Sequence, residues 1–206
     1  MLICSCSDGV TVRTEDSEYR TDTACANFSL PRFEYSPNAA YADSVNSEFD
    51  NTASAILDDF LAKEAPSLDA DTEIMRNDGR IVSVILEGEV ETGKAHGEKF
   101  RVARTYDFAN GRAVGLEELF DGDAWKQLAD NKMKALAEKG EGDYEDLWEM
   151  PSVALLSPEN YYIKEKTLIL YFPPYELSYY RRGYVEFEFE KEELSTYLSD
   201  YGREIL

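Results

Sequence analysis

The densest recognition chemistry in the chain is the stretch Tyr171-Phe172-Pro173-Pro174-Tyr175-Glu176-Leu177-Ser178-Tyr179-Tyr180-Arg181-Arg182-Gly183-Tyr184. Tyrosine offers a large apolar ring with a polar tip, which suits protein or sugar surfaces. Arg181 and Arg182 add planar donors for carboxylates. Tyr175, Glu176, Tyr179, Tyr180 and Arg181 are the candidate ligand-binding residues of this segment. The alternative is a proline-braced loop whose rings pack over a sheet edge. Packing is the expectation for Tyr171 and Tyr175, while Tyr179 and Tyr180 stay open between the two roles.

Two further candidates stand outside the loop. His96 is the sole histidine and lies beside Gly97 in an expected turn. Arg104 falls on the apolar side of a strand with Phe100, Val102, Tyr106 and Phe108. Its stem packs and its head escapes, or a bulge turns it, or it meets a buried carboxylate. No catalytic residue is assigned. A Ser-His-Asp triad would have to use His96, and there is no Gly-x-Ser-x-Gly elbow. Phosphate-loop and dinucleotide glycine motifs are absent. The cysteines, Cys4, Cys6 and Cys25, make no disulfide framework and no four-ligand zinc set. Asp69-x-Asp71-x-Glu73 opens like a calcium loop, but Ile74 and Arg80 stand where glycine and a bidentate glutamate belong. No metal and no cofactor is expected. A carboxylate pair for sugar hydrolysis has too many accidental matches in an acidic chain to carry weight.

The elements that position these residues follow from periodicity. Residues 10–14 and 24–33 read as strands, with Pro31 at an edge or a break. Val45, Phe49, Ala53, Ile56 and Phe60 recur at helical spacing between Ser36-Pro37 and Pro66. Asp78-Gly79 and Asn110-Gly111 mark hairpins of a β-meander over residues 71–115. Trp125, Leu128, Ala129, Met133 and Leu136 form the inner face of a second helix over 123–139, capped by Asp121 or Asp123 and ended by Gly140. Residues 140–159 read as acidic, irregular and mobile, with Trp148 and Met150 as the side chains that could tuck in. Strands at 161–164 and 167–172 precede Val185, Phe187 and Phe189, which alternate with Glu186, Glu188 and Glu190. A helix over 192–201 closes the chain. The fold class is α+β: an antiparallel or mixed sheet with two main amphipathic helices packed on one face.

Composition bounds the partners. The chain has 206 residues, 43% of them apolar, so it can build a core. Asp and Glu number 42 against 21 Lys and Arg, a net charge of −21. That excludes a general nucleic-acid binder and disfavours an anionic membrane surface. No run of about 20 apolar residues offers a transmembrane segment.

The loop from Phe172 to Gly183, a strand and a closing helix resemble the C-terminal signature of a bacterial domain family of unknown function. That family is shared by the extracytoplasmic region of the anti-sigma factor RsiV, a lysozyme receptor, and the non-catalytic region of the peptidoglycan deacetylase PdaC. Ala95-His96-Gly97, Tyr106-Asp107-Phe108, Asn110-Gly111-Arg112 and Leu116-Glu117-Glu118-Leu119-Phe120 agree with it in order. Arg181-Arg182 departs from the small residues usual before that glycine. The resemblance spans about residues 24–200 and implies the fold, an envelope location and a binding role. It carries over neither anti-sigma nor deacetylase activity.

Ile3-Cys4-Ser5-Cys6 is similar to the end of a bacterial lipoprotein signal, which makes Cys6 a candidate lipidation site on an extracytoplasmic, lipid-anchored protein. The other reading is a frayed terminus on a cytoplasmic protein. Residues 1–23 are accordingly an N-terminal segment with an edge strand, and 24–206 a single α+β domain. The expected function is a non-catalytic binding module for a protein, with a cationic lysozyme-like protein as partner. A cell-wall glycan is the alternative ligand, and a hydrolase the second alternative.

Overall fold

The computed structural model describes residues 9–93 and 96–206. Its internal contacts group into two compact units, Met1–Ala113 and Val114–Leu206. The first unit holds β1 (Thr11–Arg20), β2 (Cys25–Glu34), α1 (Ala39–Ala62), β3 (Ser67–Asn77), β4 (Ile81–Glu91), β5 (Glu98–Asp107) and β6 (Arg112–Ala113). These strands form one six-stranded mixed sheet in the order β1-β2-β3-β4-β5-β6. The pair β2–β3 is parallel, over Cys25–Phe28 against Ser67–Ala70, and the others are antiparallel. A parallel pair needs a long crossover, and α1 supplies it.

Helix α1 starts where Asn38 accepts a hydrogen bond from the Tyr41 amide at 3.1 Å, after a short 3-10 turn carrying Pro37. Ala42, Val45, Phe49, Ala53 and Phe60 are its buried face. They pack with Phe28, Phe33, Leu68, Val84, Tyr106 and Phe108 in a core of the first unit. Phe33 lies 5.8 Å from Phe49 and 5.5 Å from Phe108, ring centre to ring centre.

Strand β2 continues through Pro31 to Glu34, so the proline does not end it. The reason is geometric. Beyond Phe28 the ladder to β3 stops. There the Asn46 side chain accepts from the Phe33 amide at 2.8 Å and donates to the Phe33 carbonyl at 3.0 Å. Pro31 lies two residues back and so faces the same way as Phe33, toward the side with no ladder. Its missing N–H therefore removes no strand pairing.

At the far end of β5 sits Asp107, whose side chain has 0% exposure. Arg80 donates to it through Nε at 3.0 Å and its terminal nitrogen at 2.8 Å. Asn110 adds its amide at 3.1 Å and its side chain at 2.7 Å. Burial alone would raise the Asp107 carboxyl, but the hydrogen bonds from Arg80 and Asn110 and the Arg80 charge outweigh it, so its pKa is lowered.

The second unit contains α2 (Ala124–Lys139), β7 (Tyr161–Lys164), β8 (Thr167–Phe172), β9 (Val185–Glu190), α3 (Lys191–Leu194) and α4 (Asp200–Ile205). Its strands make a three-stranded antiparallel sheet in sequence order. Val185, Phe187 and Phe189 are buried and alternate with outward glutamates, as their spacing predicts. Trp125, Ala129 and Met133 are the buried face of α2, and Phe120 stacks on Trp125 at 4.1 Å. Gly140 ends α2 in the left-handed conformation. Asp123 stands at the N-cap position but makes no cap bond; it pairs with Lys126 at 2.8 Å instead.

The expected single helix over 192–201 is two short helices. Leu198 bridges to Phe120, and the Ser199 amide donates to the Leu119 carbonyl at 3.0 Å. Those tertiary bonds break the helix, and Ser199 then caps α4 by accepting from the Gly202 amide at 2.9 Å. The chain is thus α+β, with a mixed sheet, a second antiparallel sheet and helices. Among the described residues no helix is long and apolar enough to cross a membrane.

Two outcomes follow for stability. Asp107→Asn removes the charge that Arg80 requires and should cost about 3 kcal/mol in denaturant unfolding at neutral pH. Because the folded carboxyl is lowered, its stabilisation exists above the unfolded value near ~4 and disappears as pH falls through the folded value. The gap between native protein and variant should therefore close on acidification. Gly202→Ala should cost about 1–3 kcal/mol, since a Cβ there would land on the Leu119 carbonyl oxygen.

Candidate functional site

The tyrosine loop begins where Pro173-Pro174 stops β8. The Glu176 amide donates to the Pro173 carbonyl at 3.2 Å, and the Tyr175 amide to the Ser178 carbonyl at 3.1 Å. Leu177 and Ser178 are buried and anchor the loop. Tyr175 takes a left-handed backbone, φ 72°, which turns its ring out to solvent. It is 53% exposed, so the expected packing of Tyr175 over the sheet edge does not occur. Tyr171 is buried as expected, against Tyr184 at 5.6 Å. Tyr179 is 54% exposed, while Tyr180 is half-buried beside Tyr175 at 5.6 Å. Gly183, at φ 77° and ψ −142°, lets the chain turn from the loop into β9.

The acidic segment after α2 is irregular as expected, with only 3-10 turns at Gly142–Tyr144 and Val153–Leu155, and it is strapped to this loop. Tyr144 stacks on Phe187 at 5.1 Å and donates to the Glu186 carbonyl at 3.1 Å. Arg182 donates to the Gly142 carbonyl at 2.9 Å and the Glu145 carbonyl at 2.7 Å. The Trp148 amide donates to the Leu177 carbonyl at 3.0 Å, and its indole to the Glu176 carbonyl at 3.3 Å. The Trp148 ring meets Tyr179 edge to face at 4.8 Å, and is itself 48% exposed. Arg182 is therefore a structural brace. Arg181 keeps an exposed head 3.7 Å from Asp146.

Between strap and loop lies a cavity of about 380 Å³, lined by Asp143, Glu145, Asp146, Ser178, Tyr179 and the two arginines. Carboxylates and an aromatic face around one space suit a cationic side chain. Desolvation pushes the nearby Glu176 carboxyl up. Desolvation also raises the Tyr144 hydroxyl, with the charges of Glu188, Asp143 and Glu186 adding to it.

Tyr175, Glu176, Tyr179, Tyr180 and Arg181 thus lie together in the second unit, and His96 and Arg104 belong to the first. His96 is exposed, with Nδ1 2.8 Å from the Gly97 carbonyl, which makes Nδ1 the protonated nitrogen. Arg104 donates through Nε to Glu48 of α1 at 3.0 Å and through a terminal nitrogen to the Ala103 carbonyl at 2.9 Å. Its register with Val84 is unbroken, so no bulge turns it, and its carboxylate partner is half-exposed rather than buried. Burial and the Glu48 charge raise the hydroxyl of neighbouring Tyr106. Six residues of strand separate Glu98 from Arg104, roughly 20 Å, so the His96 turn and Arg104 do not converge.

Asp69, Asp71 and Glu73 alternate along β3 rather than forming a calcium loop. Among the described residues no group of three or more His, Cys, Asp or Glu is arranged to hold a metal ion. Cys25 is a free thiol, and Cys6 lies outside the described residues. Trp148, expected to tuck in, is hydrogen-bonded to the loop but stays half exposed, as does Met150, and the hold of Tyr144 and Arg182 on the loop was not foreseen. Its signal was present in Tyr144 and Trp148, two aromatics inside an acidic segment.

Comparison with known proteins places this geometry. Two solved structures share the fold. A member of the DUF3298 family from Bacteroides fragilis has 16% identity and a TM-score of 0.71, covering 94% of this chain and 95% of its own. A DUF3298 family protein from Pseudomonas aeruginosa has 16% identity and a TM-score of 0.66, covering 94% of this chain and 96% of its own. No curated protein matches the chain in sequence. Residues 117–192, which carry the strap, the tyrosine loop and the three-stranded sheet, match the family model "Protein of unknown function (DUF3298)".

Proposed function

We propose that this chain is a non-catalytic binding module that receives a cationic protein through the groove between the Trp148 strap and the tyrosine loop. The observation that carries the reading is the groove itself. Asp143, Glu145 and Asp146 line it with the exposed ring of Tyr179 and with Arg181 and Arg182, the latter committed to the Gly142 and Glu145 carbonyls. Trp148 meets Tyr179 edge to face, and Glu145, Trp148 and Tyr179 are held by backbone hydrogen bonds before any partner arrives. A lysine or arginine gains a carboxylate and an aromatic face in one place. The net charge of −21 adds long-range attraction for a basic protein, an effect that falls with salt. The resemblance to the domain shared by RsiV and PdaC supports an extracytoplasmic envelope location and a lysozyme-like partner, and Ile3-Cys4-Ser5-Cys6 supports a lipid anchor at Cys6. Trp148 and Tyr179 meet at 81°, so they offer no flat platform for a sugar ring, which favours protein over cell-wall glycan.

The test is retention of a lysozyme by the immobilised chain. Retention is expected at low salt, weakening at about 0.3 M. Trp148→Ala, and the triple change Asp143→Asn, Glu145→Gln and Asp146→Asn, should each weaken it by about tenfold. No retention at either salt sinks the reading. So does retention on purified peptidoglycan that Tyr179→Ala and Tyr180→Ala abolish, which would install the glycan in its place.

A further inference from the structure

The first unit sets an edge strand beside an acidic cavity, neither of which belongs to the groove. Strand β1 is an edge strand among the described residues, paired with β2 along its whole length and with no described strand on its other side. Every residue of β1 except Val12 is exposed. The strand is held at both ends. The Val10 amide donates to the Gly79 carbonyl at 2.9 Å, and Asn77 donates to the Val10 carbonyl at 3.1 Å. At the other end Thr21 closes the turn, its amide donating to the Ala24 carbonyl at 2.8 Å and its hydroxyl accepting from the Ala24 amide at 3.0 Å. Alternate residues of such an edge point N–H and C=O outward, in place for another strand.

On the sheet face away from α1, a cavity of about 480 Å³ lies across β1, β2 and β3. It opens where β2 and β3 part. Their ladder ends at Phe28 and Ala70, and the Thr72 hydroxyl takes the Ser29 carbonyl at 2.8 Å. Asn27 and Ser29 line it, alternating with core-facing Ala26, Phe28 and Leu30. Around them stand Asp16, Glu18, Asp69 and Asp71. Asn27 donates to Asp69 at 2.8 Å, and Glu18 pairs with Arg20 at 2.5 Å. Asp16 and Asp71 have no ion pair among the described residues, and both are exposed.

We propose that β1 accepts an extended basic segment of another protein as an added strand, with alternate lysine or arginine side chains lying over this cavity. Added strands sit about 4.8 Å from their neighbour, and directly opposed side chains approach to about 5 Å. Every second side chain of the added strand would face the Asp16 and Glu18 side, and a long cationic arm reaches across β1 toward Asn27, with the Asp71 carboxylate contributing its charge from the far side of the cavity. The backbone edge supplies affinity and the carboxylates supply the choice of sequence. A second copy of this chain is the poorer occupant. Each copy carries −21, and a β1–β1 ladder would set Glu15, Asp16 and Glu18 of one against those of the other.

A fluorescent peptide of alternating lysine and valine, matched in length to β1, is the probe, read by anisotropy against the full chain. It should bind at low salt, and a peptide alternating glutamate and valine should not. Methylating every backbone nitrogen of the lysine peptide keeps its charge and removes its donors, and should weaken binding by about tenfold or more. Asp16→Asn with Asp71→Asn should weaken it by a similar factor. Undiminished binding of the methylated peptide overturns strand addition, and undiminished binding to the double variant overturns the role of the cavity. The loss caused by backbone methylation should be as large in Trp148→Ala as in the native chain; its disappearance there would move the peptide to the groove of the second unit and overturn the assignment to β1. Sedimentation of the chain alone should show no salt-induced dimer that Asp16→Asn with Asp71→Asn strengthens, since such a dimer would make a second copy the occupant.

Discussion

The Asp107 carboxylate is withdrawn from solvent yet charged, and much of the first unit is arranged to keep it so. Four hydrogen bonds from Arg80 and Asn110 compensate its burial. Those bonds tie the start of β4 to the end of β5, where the Phe108 amide also donates to the Arg80 carbonyl at 3.0 Å. Because side chains alternate along a strand, seating Asp107 on one side sends Tyr106 and Phe108 to the other. Both rings then enter the aromatic cluster with Phe33 and Phe49. A one-residue slip would drive the charge into that cluster and the rings out of it. The register of β5 and the seating of Tyr106 and Phe108 in the core with α1 are consequences of one placement.

The elements with local causes were legible in the sequence. The stripe of Val45, Phe49, Ala53 and Phe60 marks α1, Gly140 ends α2, and Val185, Phe187 and Phe189 alternate as a half-buried strand should. What escaped depends on partners distant in the chain. The parallel pairing of β2 with β3 cannot be read from either strand alone. Asp107 reads as a polar residue until Arg80 is beside it. The break at Leu198 comes from bonds to Leu119 and Phe120, almost eighty residues earlier by sequence number. In the candidate site, the residue types of the tyrosine loop were legible, but not which rings face water. Tyr175 is turned out by a positive φ that its identity does not announce.

The excess of acid behaves differently from place to place. On β9 the outward glutamates alternate with a buried face and need no explanation beyond solvation. Near Asp143, Glu145 and Asp146 the same residue type sits against exposed rings whose backbone is fixed. Along β1 it sits beside the row of backbone donors and acceptors that no described strand takes up. Charge alone attracts any cation and discriminates poorly, because it has no geometry. An aromatic edge or a strand edge adds direction and spacing, which a small ion cannot match and a polypeptide can. The two acidic surfaces therefore differ from the rest of the charge in what stands next to them.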